Sequence, residues 1–427
     1  MKAIIGEETL VFSAPINENT KKWGVYSIPR MWRDIGGNLV IRLNGETDCG
    51  DTDNMDVAPN LFFTSYDNGK SWSNDPEGEK NYPINVLCGI GSPFTKIGSH
   101  YVAFRESPDR ADIKNIKAQK EFLVPNGEAI VCSYRYGDIP DDCKGVQRLL
   151  YDGSGKLLQV SDVDFDFSKR EILINSKGYN FKEYVKVRQR VKQSIFKNNY
   201  FCAVTPLADG TLVAIACGQD PSVSDHYCGC AYLLESFDMG LSWKMRSIIA
   251  QDSNMPYGFT GDGNEVSLCR TKSGALICAM RMEMSIHPDI EKPICDTFIA
   301  ISHDDGHSWC KPFSISDSSV TPQAVSFENG AVAVVYGRPG VHFKYSTDDG
   351  KSWSGSNSII GKSLSEYRKE GISDADSKYF DSCSYSNVFV EKISENSMLV
   401  LYNNAKYDEG DGKHHKAAFV RTVTFEE

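Results

Sequence analysis

Side chains able to do chemistry occur in four settings along this chain. The acidic run Asp48-Cys-Gly-Asp51-Thr-Asp53, with Asp56 just beyond, supplies carboxylates that can give or take a proton. Glu265 opens an apolar run in Asn264-Glu265-Val-Ser-Leu, and Arg281 closes the run Cys278-Ala-Met-Arg281 sixteen residues later. Arg338 closes another, Tyr336-Gly-Arg338-Pro-Gly, and Arg105 and Arg135 also end apolar runs. A guanidinium donates two parallel hydrogen bonds to a carboxylate, so these arginines suit an anionic ligand or an ion pair with an acid such as Glu265.

The third setting is Cys217, His226, Cys228 and Cys230. Thiols and an imidazole suit zinc, but Cys-x-Cys fits no common zinc template, and no metal or cofactor is expected. His287, His414 and His415 stand apart and read as surface residues. The fourth setting is basic: Lys182, Lys186, Arg188, Arg190, Lys192 and Lys197. Val187, Val191 and Ile195 recur there every four residues, which predicts a short amphipathic helix. The net charge of −11 argues against nucleic acid, whose binding rests on counterion release by Lys and Arg, so a solvated face is expected.

The elements that must hold these groups follow from repeats. Ser-x-Asp-x-Gly-x-x-Trp occurs at Ser65–Trp72, Ser236–Trp243, Ser302–Trp309 and Ser346–Trp353. Asp can accept from backbone amides ahead of it, Gly takes the left-handed position and Trp packs back, so each copy is a turn between antiparallel strands. The preceding strands are Asn60–Thr64, Ala231–Glu235, Thr297–Ile301 and His342–Tyr345. A second series of hairpins turns at Gly36-Gly37, Gly98-Ser99, Asp209-Gly210, Ser273-Gly274, Asn329-Gly330 and Glu395-Asn396. Asn126-Gly127 competes for a place in that series.

Two interleaved turn series describe six four-stranded antiparallel units, an all-β six-bladed β-propeller. The last unit lacks one strand after Ala417–Phe425, and Lys2–Phe12 is expected to supply it and close the ring. The 427 residues are read as one propeller domain with an insertion around 107–200, and a short helix is expected over Leu364–Glu370. Aromatic residues at 11% exclude a disordered chain, and no run approaches the ~20 apolar residues of a membrane helix. Glu7 and Glu8 interrupt the N-terminus where a signal peptide needs an apolar run, and the thirteen cysteines form no framework, so a cytoplasmic location is expected.

The four Asp-centred turns resemble the Asp boxes, or BNR repeats, of the sialidase (neuraminidase) family, over roughly Val25 to Tyr402. In antiparallel blades those turns lie opposite the edge where first strands begin and second strands end. The resemblance therefore implies chemistry at that other edge. There Glu265 resembles the glutamate that polarises a tyrosine nucleophile, and Tyr385 in Ser384-Tyr385-Ser-Asn-Val resembles that tyrosine. Arg281 and Arg338 resemble two members of the arginine cluster that binds the sialic acid carboxylate, and Asp51 resembles the acid/base, with Asp48, Asp53 and Asp56 as competitors. The first arginine of the cluster is replaced by Ser27 in Tyr26-Ser27-Ile28-Pro29; Arg30 or Arg33 stands near, Arg30 with the opposite strand parity.

The resemblance implies a retaining exo-glycoside hydrolase that releases a terminal acidic sugar from a carbohydrate partner; the acidic charge and the lack of a long apolar run lead to the expectation of neither nucleic acid nor membrane as partner. Two alternatives remain open: a same-fold glycosidase for a neutral or differently charged sugar, suggested by Ser27, and a non-catalytic carbohydrate-binding propeller. If Ser27 lines the site, an arginine in its place should improve sialoside turnover.

Overall fold

A computed structural model describes residues 1–18, 20–21, 24–45, 58–82, 93–106, 118–123, 129–134, 146–165, 170–176, 187–193, 200–219, 229–251, 253–256, 259, 265–284, 294–373 and 387–426. The strands form six four-stranded antiparallel blades around a ring. Blade one runs Pro29–Arg33, Leu39–Leu43, Leu61–Ser65 and Ser73–Asn74. Blade two runs Thr95–Ile97, His100–Glu106, Val146–Tyr151 and Leu157–Asp162. Blade three runs Tyr200–Pro206, Leu212–Gln219, Gly229–Ser236 and Ser242–Gln251. Blade four runs Glu265–Arg270, Leu276–Met284, Ile294–Ser302 and Phe313–Ser316. Blade five runs Gln323–Ser326, Val332–Gly337, Val341–Ser346 and Asn357–Ile360.

Blade six joins the two ends of the chain. Val388–Lys392, Ser397–Asp408 and His414–Glu426 are followed outward by the N-terminal strand Lys2–Pro15, paired from Lys2↔Glu426 to Pro15↔His415 with register shifts between Ile5 and Glu8 and between Leu10 and Phe12. All six hairpin turns expected between first and second strands are present. The first strands of successive blades from two through six, and of six and one, lie side by side and line the centre.

Second strands such as Leu276–Cys278 and Val332–Tyr336 are apolar at every position because both faces of a blade are covered by its neighbours. Blade five packs on blade six through Phe327, Phe343, Tyr402 and Phe425, and blade six on blade one through Phe389, Leu399, Met31 and Ile41. Burying each such side chain stabilises the ring by roughly 1.5–3 kcal/mol.

The four Ser-x-Asp-x-Gly-x-x-Trp turns join third to fourth strands and share one hydrogen-bond pattern. At Asp304, Oδ1 accepts from Ser302 Oγ (2.7 Å) and Ser308 N (2.9 Å), and Oδ2 accepts from Ser308 Oγ (2.6 Å). These bonds, the Ser308 hydroxyl foremost, hold the Asp304 carboxyl down at about 2, and Asp67 and Asp348 sit at about 2 for the same reason. The glycine has two tasks. Gly306 has φ +86, and a Cβ there would lie 2.3 Å from Leu233 Cδ2 of the preceding blade. Gly69 meets Leu399 and Gly240 meets Phe104 in the same way, so the turn glycines are also the points where adjacent blades touch.

Several expectations need correction. The basic stretch expected as a helix contains the strand Val187–Gln193, antiparallel to Arg170–Ser176, so its valines repeat along an extended ribbon. Residues 107–200 also hold the third and fourth strands of blade two. Ala118–Leu123 pairs with Ala129–Tyr134 as a separate two-stranded ribbon, and Asn126-Gly127 lies outside the described residues. His415 is buried, not superficial; its ring nitrogens face Ser13 Oγ at 3.2 Å and Asp411 Oδ2 at 3.1 Å, at the seam between the chain ends. The expected helix forms over Leu364–Lys369, started by a capping box of Ser363 and Glu366. None of the described helices is long and apolar enough to cross a membrane.

Candidate active site

The antiparallel register of blade four sets Glu265, the first residue of its first strand, directly opposite Arg281. Arg281 Nη1 donates to Glu265 Oε2 at 3.0 Å, and the two side chains remain 23% (Glu265) and 16% (Arg281) exposed. Arg281 Nη2 reaches Cys295 Sγ at 3.6 Å, on the third strand of the same blade. A second donor to Glu265 Oε2 comes from blade five: the Thr321 backbone N–H, at 2.7 Å. Oε2 is thus fixed by a cation and an amide, whereas no hydrogen bond to Oε1 is formed among the described residues. A carboxylate anchored through one oxygen can work through the other.

Thr321 has φ +44, a left-handed conformation unusual for a β-branched residue. Its Oγ1 accepts from Val388 N at 2.9 Å, at the start of blade six. Asn387, one residue earlier, donates from Nδ2 to the Ser27 carbonyl at 3.1 Å, ahead of blade one. Glu265, Thr321, Val388, Asn387 and Ser27 therefore form one chain of hydrogen bonds across four blades at the end of the ring away from the Asp-centred turns. Arg338 belongs to this end: Gly337 N donates to Val320 O at 3.1 Å, next to Thr321. Arg338 itself is half-buried with φ +57, and its N–H closes a tight turn onto Gly340 O.

Ser27 is buried at 1% exposure, with its hydroxyl on Val25 O at 3.3 Å, and it presents a carbonyl to Asn387. Arg30 is half-buried on blade one, opposite Arg42. Arg33 lies toward the other end of its strand, donating to the Lys392 carbonyl at 3.2 Å. Arg105 is held by Gln147 Oε1, with Nε at 3.1 Å and Nη2 at 2.9 Å. Asp48, Asp51, Asp53, Asp56, Arg135 and Tyr385 lie outside the described residues, as do His226 and Cys228. Among the described residues no group of three or more His, Cys, Asp or Glu is placed to hold a metal.

Sequence reasoning overlooked Thr321, Asn387 and Cys295. None sits in a repeat, and each acts through a backbone group or a short side chain, so residue type carried no signal. A separate recess of about 300 Å³ opens between blades four and five, lined among others by Asp296, Ser314, Tyr336 and Lys344. Its polar groups bind each other: Ser314 Oγ donates to Asp296 Oδ2 at 2.9 Å and Lys344 Nζ to Ile315 O at 2.5 Å.

A protein of unknown function from Dyadobacter fermentans is similar over 98% of this chain and 99% of its own, at 16% identity and a TM-score of 0.51. The NanB sialidase of Streptococcus pneumoniae is matched over 97% of this chain and 70% of its own, at 13% identity and a TM-score of 0.46. The α-L-arabinofuranosidase Arb93A of Fusarium graminearum is matched over 61% of this chain and 67% of its own, at 14% identity and a TM-score of 0.36. No protein-family model and no curated protein matches the sequence. At 16% identity the likeness to the Dyadobacter fermentans protein is one of fold.

Proposed function

We propose that this chain is a single-domain propeller of the Asp-box type acting as a retaining exo-glycoside hydrolase, releasing a terminal acidic sugar such as sialic acid. The observation that carries this reading is the Glu265 carboxylate, with Oε2 fixed by Arg281 and Thr321 while no described residue bonds Oε1. In this mechanism Oε1 takes the phenol proton of Tyr385 as its oxygen attacks the anomeric carbon. Asp51 protonates the leaving glycosidic oxygen. Water, deprotonated by the resulting Asp51 carboxylate, then displaces the tyrosine, and Glu265 returns the proton to its oxygen.

A phenol suits this task because the sugar carries a carboxylate on the reacting carbon, which would repel an anionic nucleophile. With pKa ≈ 10 the phenol needs a base. Arg338 and Arg281 meet the sugar carboxylate with charge-assisted bonds.

One observation favours a second reading, a neutral sugar. Ser27 supplies no cation, and Arg281 is already turned toward Glu265 and Cys295. A panel of 4-methylumbelliferyl glycosides that includes the sialoside separates the two. The first reading expects the sialoside to be turned over fastest, the second a neutral glycoside, and no turnover of any member contradicts both.

A further inference from the structure

We infer that Thr321 is a positioning residue for Glu265, locked in its unusual backbone conformation by the neighbouring blade; this inference rests on the glycosidase reading above. Thr321 is buried and precedes Pro322, whose ring favours extended backbone in the preceding residue. Its φ of +44 instead places a β-branched side chain in a costly region that the surroundings must hold. Two bonds hold it, and they point in different directions. The Val388 N–H donates to Oγ1 at 2.9 Å, tying the side chain to blade six. The Thr321 N–H donates to Glu265 Oε2 at 2.7 Å, tying the backbone to blade four.

The side-chain bond holds the conformation that aims the backbone N–H. Without it the peptide relaxes toward the extended region preferred before proline, and its N–H turns away from the carboxylate. Glu265 is then held by Arg281 alone, and Oε1 loses its fixed direction. The junction sets the base of blade four against the start of blade six with one residue of blade five.

The test compares Thr321→Val, which keeps the shape but removes the acceptor, with Thr321→Ser, which keeps the acceptor. Thr321→Val is expected to lower kcat about tenfold, the scale of weakening one hydrogen bond to a charged group, with KM changed less than about twofold. Hydrogen exchange at the Val388 amide should accelerate in the same variant. Thr321→Ser should restore both. Unchanged kcat and unchanged Val388 exchange in Thr321→Val would overturn the proposal, and so would a Thr321→Ser variant as impaired as Thr321→Val. If the wild-type protein cleaves no glycoside, the functional reading fails while the exchange measurement still decides the role of Thr321.

Discussion

At the scale of single residues, chemistry is set by what holds each group. Glu265 and Arg281 were legible because sixteen residues of antiparallel hairpin put them opposite each other, and the register does so. Ser27 was legible as a departure from the arginine pattern. It is 1% exposed, and the Asn387 side chain rests on its carbonyl. Ser27→Arg should therefore overpack the turn ahead of blade one, at a cost of roughly 1–3 kcal/mol, and lower rather than raise turnover. Thermal melting together with sialoside kinetics checks this; an unchanged melting temperature with faster turnover would restore the original expectation. Thr321 was illegible for a different reason: its contribution is a backbone N–H, and every residue type but proline has one.

At the scale of elements, the turns were the most readable feature, because their pattern states its own mechanism. Each aspartate gathers amide and hydroxyl donors, and each glycine occupies a left-handed position pressed against the preceding blade. The helix expected over the basic stretch gives way to a strand at Val187–Gln193, because a four-residue spacing fits a strand's period of two as well as a helix; Ile195 lies outside the described residues. The turns imply an acid sensitivity. A carboxyl held at about 2 in the folded state and near 4 when unfolded contributes stability that is complete above pH 4 and is lost as pH falls toward 2. Asp304→Asn has no such titration. The drop in melting temperature between pH 5 and pH 2.5 should be smaller in Asp304→Asn than in wild type, although the variant melts lower at pH 7. An equal drop in both proteins would show that the turns play no part in acid unfolding.

At the scale of the whole molecule, closure decides stability. The first and last strands pair along their full length, and His415, Ser13 and Asp411 clasp the seam at one end. This was foreseeable, since the sixth unit lacked a strand and the N-terminus offered one. Removing residues 1–15 should leave blade six with three strands and an exposed edge. The truncated chain is expected to melt at lower temperature and without a single cooperative transition, as followed by circular dichroism. Cooperative melting at the wild-type temperature would mean that the ring does not depend on the strap.

The ring brings blades four, five and six together around one carboxylate, and the proposed chemistry depends on that carboxylate acting as a base. The most direct measurement is kcat/KM of Glu265→Gln relative to wild type on the glycoside the wild-type protein turns over best. The amide keeps the size of the side chain and accepts from Arg281 and Thr321, but takes no proton. A folded Glu265→Gln protein with kcat/KM lowered roughly 10²- to 10⁴-fold is the expected result. Undiminished turnover in that variant would contradict the assignment of Glu265 and, with it, the proposed mechanism.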